Sequence, residues 1–293
     1  MRLARYAIWL IPLLWAVNYF VARRAPGVVE PYTLACMRWG VAGLLLSLHA
    51  RAELRREWRA IAAVWYQYLA LGFCGMVVCG AWVYLGAQST TAVNISLIYS
   101  ASPVLIALAS VLWLQERMRA PQVLGVALAL TGVLHVIVKG QWGALGQVHF
   151  VAGDGWILAA MVSWALYALL QKMWPSSMSP TARLAATCWG AMPMLLAGTA
   201  WELAQSATPP VGLQAWALGL TVALFPGVGA YWIYGWAQRI LGASKVAVTL
   251  YLGPLYGALL AWLVLGEQLG WHHLVAALLI LPGVFLVSSS PRA

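Results

Sequence analysis

Trp82-Val83-Tyr84-Leu85-Gly86-Ala87-Gln88 and Trp232-Ile233-Tyr234-Gly235-Trp236-Ala237-Gln238 share their Trp, Tyr, Ala and Gln at a constant offset of 150 residues. Downstream, Pro103, Glu116 and Gly132 recur as Pro254, Glu267 and Gly283, each 151 residues on, so one residue has been inserted between the blocks. Seven identities that hold register over about fifty positions mark a duplicated unit. The functional centre is expected where the two copies face each other.

Composition decides the solvent of this unit. Of 293 residues, 63% are hydrophobic and only 8% charged, and the mean hydropathy is +0.82, too little polar cover for a soluble fold. The apolar runs are continuous and reach the roughly 17 to 25 residues that a membrane-spanning helix needs. The ten-residue alternation of an outer-membrane barrel is missing. An all-α integral membrane protein follows. The formal charge of +10 is scattered through short gaps between spans instead of forming a patch, which argues for topology and against a nucleic-acid partner. Cys36, Cys74, Cys79 and Cys188 all fall in apolar segments without metal-ligand spacing, so no metal and no cofactor is expected.

Taken in order, spans are expected near 6–21, 32–50, 60–86, 91–115 and 122–138 in the first copy. The second supplies 155–171, 184–201, 213–238, 246–266 and 271–288. The division is 1–140 for the first five-helix repeat, 141–152 for a linker and 153–293 for the second. The first apolar run has no A-x-A-like cleavage site and is read as a retained span. Arg51 to Arg59, with four Arg and two Glu, is expected to be a loop in water. Gly125, Ala129 and Gly132 share a face and predict a tight packing seam. Pro103 and Pro254, with Pro193 and Pro226, predict kinks: proline frees a carbonyl one turn earlier, tolerable in lipid only beside a satisfying neighbour or a wet cavity.

The Lys and Arg residues set the orientation. With the N-terminus cytoplasmic, thirteen lie inside, three (Arg23, Arg24, Lys139) outside, and Arg38 within a span. Both termini are therefore expected in the cytoplasm. Five spans per copy is odd, so the second copy enters from the opposite side: an inverted repeat, which offers a route to alternating access.

Five plus five spans, Trp15-Ala16-Val17-Asn18 in the first, Pro31 followed by Arg38, and Pro…Glu in spans four and nine together resemble the drug/metabolite transporter superfamily, closest to its EamA-type exporters. With 18 Trp and 12 Tyr, the chain is similar to the bacterial aromatic amino acid exporters of that group. The resemblance implies a carrier in the bacterial inner membrane. Pro31 matches Pro180, yet Arg38 maps to Thr187 and Asn18 has no twin in the second copy. Any role of Arg38 is asymmetric.

Trp15, Asn18, Cys79, Trp82, Tyr99, Ser102, Trp164, Tyr167, Trp232 and Tyr251 are expected to line a central, mostly uncharged substrate chamber between the copies; helix packing is the alternative for each. Arg38 either holds a substrate carboxylate or snorkels to the nearby interface. Glu116 and Glu267 are read as capping or gate contacts, and His272 and His273 as interfacial. An enzyme, a channel and a multidrug carrier are the competing readings. The spans offer no carboxylate near the midplane and no nucleotide-binding loop. A monomeric facilitative exporter of amino acids, with small-molecule substrate and lipid as its partners, is the expectation.

Overall fold

A computed structural model of the chain describes residues 6–114, 120–143, 151–205, 211–241 and 252–289. Among these residues every regular element is helical. The first copy contributes α1 (Leu10–Arg24), α2 (Pro31–His49), α3 (Arg51–Ala63), α4 (Trp65–Gly72), α5 (Val83–Ala87), α6 (Ala92–Ser100), α7 (Ser102–Leu114) and α8 (Ala120–Ile137). The second contributes α9 (Ala152–Met173), α10 (Pro180–Gln205), α11 (Leu213–Val222), α12 (Ala230–Leu241), α13 (Gly253–Leu265) and α14 (Trp271–Ser289). Among the described residues five stretches are each long and apolar enough to cross a bilayer, Trp65–Ala87, Ala92–Trp113, Ala120–Ile137, Ala152–Met173 and Leu213–Ala237, and the bent pair Pro31–His49 and Arg51–Ala63 would make a sixth. The outside is apolar too, with Leu112, Trp113, Trp262 and Leu278 all exposed, as a bilayer requires.

Two pairs of corresponding helices, one from each copy, pack on each other antiparallel. A Cβ on Gly132 would meet Ile280 and the Ala276 carbonyl, and one on Gly283 would meet Gly125 and Ala129. These four contacts interchange under the 151-residue offset, so α8 and α14 cross about a local two-fold, and the predicted seam is real. A Cβ on Gly43 would likewise lie 3.1 Å from Cys188 Cβ, and one on Gly198 would lie 2.3 Å from the Tyr32 ring, which runs α2 antiparallel to α10. Small residues let these backbones close in, the usual basis of helix association in lipid.

The repeated Trp-x-Tyr string follows a repeated defect. Phe73–Trp82, between α4 and α5, is π-helical, and so is Ala223–Gly229, between α11 and α12. Their starts lie 150 residues apart. In the second, Pro226 lacks the amide that would close an α-turn. In the first no proline is present, and the wide turn brings Gly75 under the Tyr167 ring, where a Cβ would sit 2.8 Å from the ring carbons. Single π segments of this kind concentrate at functional sites.

The break at Pro103 is present: α6 ends at Ser100 and α7 restarts at Ser102, with the Ser102 hydroxyl bonded to the Tyr99 carbonyl. Pro254 stands in the first turn of α13. By contrast α10 runs without interruption past Pro193. The larger correction concerns Arg51 to Arg59, which forms α3 instead of a loop. Arg-Ala-Glu-Leu-Arg-Arg-Glu is built of strong helix formers, and Glu53 in the first turn suits the helix dipole. This helix turns 107° away from α2, and the next span begins at Trp65, later than the expected residue 60.

Candidate functional site

Arg38, in the middle of α2, is 5% exposed. Its Nη1 donates to Asn18 Oδ1 (2.8 Å) on α1 and to Tyr84 Oη (3.3 Å) on α5. Tyr84 Oη in turn donates to the same Asn18 oxygen at 2.9 Å. The guanidinium carbon lies 4.3 Å from the Trp39 ring. Nε has no partner, and no carboxylate forms an ion pair with Arg38 among the described residues. A guanidinium cannot shed its proton. Burying it beside neutral oxygens alone leaves an uncompensated charge in a poorly solvated place.

On the far side of Trp39 lies a cavity. Trp39 meets Tyr231 edge-on at 6.5 Å, and Tyr231 meets Trp15 edge-on at 5.7 Å. Tyr231 and Trp15 form part of the wall of a space of about 290 Å³ that Trp164, Tyr167, Gln171, Arg183 and Trp232 also line. Its walls come from α1 and α2 of one copy and α9, α10 and α12 of the other. Trp164 and Tyr167 stack at 5.3 Å, while Trp15 and Trp164 are counterparts 149 residues apart. The lining ends with Gln171, Thr181 and Arg183, where α9 stops and α10 begins. Arg183 Nη2 is held there by the carbonyls of Gln171 (3.2 Å) and Trp174 (2.5 Å).

The opposite end is packed shut. Trp82 Nε1 donates to Tyr32 Oη at 3.1 Å and its ring abuts Trp156 at 5.2 Å. Glu267 pairs with Arg23 at 3.3 Å and accepts the first amides of α6, from Ala92 and Val93. Arg23 Nη1 closes the end of α5 through the Ala87 carbonyl at 2.6 Å. A Cβ on Gly153 would stand 2.4 Å from the Gly86 carbonyl, so α9 and α5 touch backbone to backbone.

Of the expected lining, Trp15, Trp164, Tyr167 and Trp232 share the cavity, and Asn18 holds Arg38. Trp82 belongs to the closed end. Cys79 is buried, its thiol on the Ala160 carbonyl at 3.2 Å, and Ser102 is taken up in the α6–α7 break; neither lines the cavity. Tyr99 packs against Tyr19 at 6.5 Å and is not part of the cavity wall. Tyr251 and Glu116 lie outside the described residues. Sequence reasoning missed Tyr84 and Tyr231, although Tyr84 sits within the repeated string. It also placed His273 at the interface, whereas Nε2 of that buried side chain meets Asn94 Oδ1 at 3.2 Å. Asp154 Oδ1 accepts from Asn94 Nδ2 at 3.3 Å and also from the Thr90 hydroxyl. Asp154 is thus at a helix start, as expected, but buried.

The profile of the EamA-like transporter family matches residues 4–138 and again residues 151–289. The chain belongs to the EamA-like transporter family. It is therefore a multi-pass membrane protein of the drug/metabolite transporter superfamily. Relatives that span nearly all of this EamA chain include the uncharacterized transporters YvbV and YyaM of Bacillus subtilis. YvbV is 27% identical over 96% of this chain and 90% of its own length. YyaM is 26% identical over 94% and 90%. Protein PagO of Salmonella typhimurium is 20% identical over 94% and 90%. A solved crystal structure with 21% identity covers 98% of this chain at a TM-score of 0.62, a likeness of fold.

Proposed function

We propose that this EamA protein exports amino acids, aromatic and other apolar ones foremost, from the bacterial cytoplasm by alternating access. The observation that carries the reading is Arg38: a buried guanidinium with no carboxylate partner among the described residues, set behind the Trp39 and Tyr231 rings from a cavity between the two copies. A substrate carboxylate would supply the missing charge as a charge-assisted pair. The walls of Trp15, Trp164 and Tyr231 would receive an apolar or aromatic side chain. A multidrug carrier of cations fits less well, because its substrate would meet Arg38 and Arg183 as like charges.

In this reading ten membrane helices form two inverted halves, 1–140 and 153–293, joined by 141–152, with both termini cytoplasmic. The cavity then faces the cytoplasm, and the Trp82, Tyr32 and Glu267 contacts close the outer end. Opening would exchange the two arrangements about the two-fold seen between α8 and α14. We further propose a facilitative carrier, acting as a monomer. Asp154, Glu202 and Glu267 are each engaged at a helix start, away from Arg38 and the cavity. Purified protein in liposomes loaded with a mixture of unlabelled amino acids should exchange labelled tryptophan, phenylalanine or leucine. Exchange of organic cations in place of amino acids would contradict the proposal.

A further inference from the structure

The helix α3 has no place in the transport reading, yet it carries the densest charge in the chain. It leaves α2 at 107°, so if α2 crosses the bilayer, α3 runs along the membrane surface. Arg51, Arg55 and Arg59 fall at i, i+4 and i+8 on one stripe, with Arg56 beside it, and all four are exposed. Leu54 and Ile61 lie on the other side, half-buried against the protein. Trp58 borders the arginine stripe, 58% exposed, and Trp65 and Tyr66 follow at 61% and 53%. Indole and phenol rings in such a row mark the headgroup level.

The two acids of this helix do not neutralise the stripe. Glu57 pairs with Arg56 at 3.0 Å. Glu53 accepts from Ser179, from its amide at 2.6 Å and its hydroxyl at 2.5 Å. Arg51, Arg55 and Arg59 have no acidic partner among the described residues. Forked guanidinium donors at headgroup depth match a phosphodiester oxygen pair better than any other group available there. Ser179 directly precedes Pro180, the first residue of α10, and Pro180, Thr181 and Arg183 line the cavity. Thus α3 is tied by a single carboxylate to the cavity rim.

We propose that the Arg51, Arg55 and Arg59 stripe of α3 is a binding site for anionic phospholipid headgroups, and that a seated lipid surface holds α3, through Glu53 and Ser179, against the start of α10 at the cavity mouth. Each arginine near an anionic surface contributes roughly fivefold to such an association.

The test uses the full chain in nanodiscs of phosphatidylcholine, alone or mixed with phosphatidylglycerol. Spin-labelled phosphatidylglycerol should associate several-fold more strongly than spin-labelled phosphatidylcholine, and the preference should fall with salt. The triple variant R51Q/R55Q/R59Q should lose it, while R51K/R55K/R59K keeps most of it. Hydrogen exchange at Ser179 and the first turn of α10 should be slower in the phosphatidylglycerol discs, for wild type and not for the glutamine triple. Equal association of both lipids with wild-type protein overturns the proposal, and so does a preference unchanged in the glutamine triple. Inorganic phosphate reproducing the exchange effect in phosphatidylcholine discs would overturn the membrane-surface reading. If the glutamine triple does not fold, the salt series on wild-type protein decides: a preference that salt leaves intact contradicts it.

Discussion

Glu53 and Glu202, 149 residues apart, perform the same task for each other's half. Glu53, just past the end of α2, takes the amide and hydroxyl of Ser179 at the start of α10. Glu202, near the end of α10, takes the amides of Tyr32 and Thr33 at 2.8 and 2.9 Å, with the Thr33 hydroxyl, at the start of α2. Each carboxylate satisfies amides that a helix leaves unpaired and sits at the positive end of its dipole. The two latches stand at opposite ends of one antiparallel helix pair.

They differ in depth, and their substitutions should differ accordingly. Glu202 is 6% exposed, so E202A leaves buried donors without acceptors, at a cost of about 1–3 kcal/mol. E53A, at a wetter site, should cost less. Thermal unfolding followed by thiol labelling of Cys188, which is buried in the fold, ranks the two; a larger loss from E53A would count against this reading.

The Ser179 hydroxyl and amide hold the Glu53 carboxyl below its ordinary range. A depressed folded-state value means that the latch contributes fully above the ordinary carboxylate range and is lost as pH falls through the lowered value. Ser179 amide protection, corrected for the intrinsic pH dependence of exchange, should therefore hold through mildly acid conditions and vanish only in stronger acid. Loss of protection near neutral pH would contradict this sign.

The two-fold seam makes a paired prediction. A Cβ on Gly283 would stand 2.6 Å from the Gly125 carbonyl, which cannot rotate away, whereas one on Gly132 would first meet the Ile280 side chain at 2.6 Å. Both alanine variants should lose about 1–3 kcal/mol through overpacking, G283A more than G132A. Denaturation in mild detergent gives the order; no loss in either would dissolve the seam as a source of stability.

For the energy source, the buried Asp154, Asn94 and His273 chain is the place to look. A facilitative carrier accumulates no amino acid under an imposed pH gradient, whether wild type, D154N or H273Q. Accumulation in wild type that disappears in D154N would assign proton coupling to Asp154 instead.

Much of this architecture is legible in the sequence because hydropathy and the repeat both report it. Gly132 and Gly283 announce a close approach by being small at equivalent places. The π segment at Phe73–Trp82 is not legible, since no proline marks it and its wide turn answers to the Tyr167 ring packed on Gly75. The α3 segment is misread because charge density alone does not separate a loop in water from a helix lying on a surface; the arginine spacing of four would have done so. For the site, aromatic residues inside spans point to the cavity, but which of them line it depends on which end is closed. Trp82 and Trp232 are equivalent in sequence and lie at opposite ends of that asymmetry.

Counterflow in proteoliposomes tests most directly the proposed binding of the substrate's carboxylate by Arg38. Labelled phenylalanine should exchange against internal phenylalanine and fail to exchange against phenylalaninamide, which lacks the carboxylate. R38Q should lose at least about thirtyfold in exchange, since removing one member of a buried charged pair costs about 2–5 kcal/mol, and should no longer distinguish acid from amide. Equal exchange of acid and amide by wild-type protein, or an R38Q variant that keeps both rate and selectivity, would contradict it.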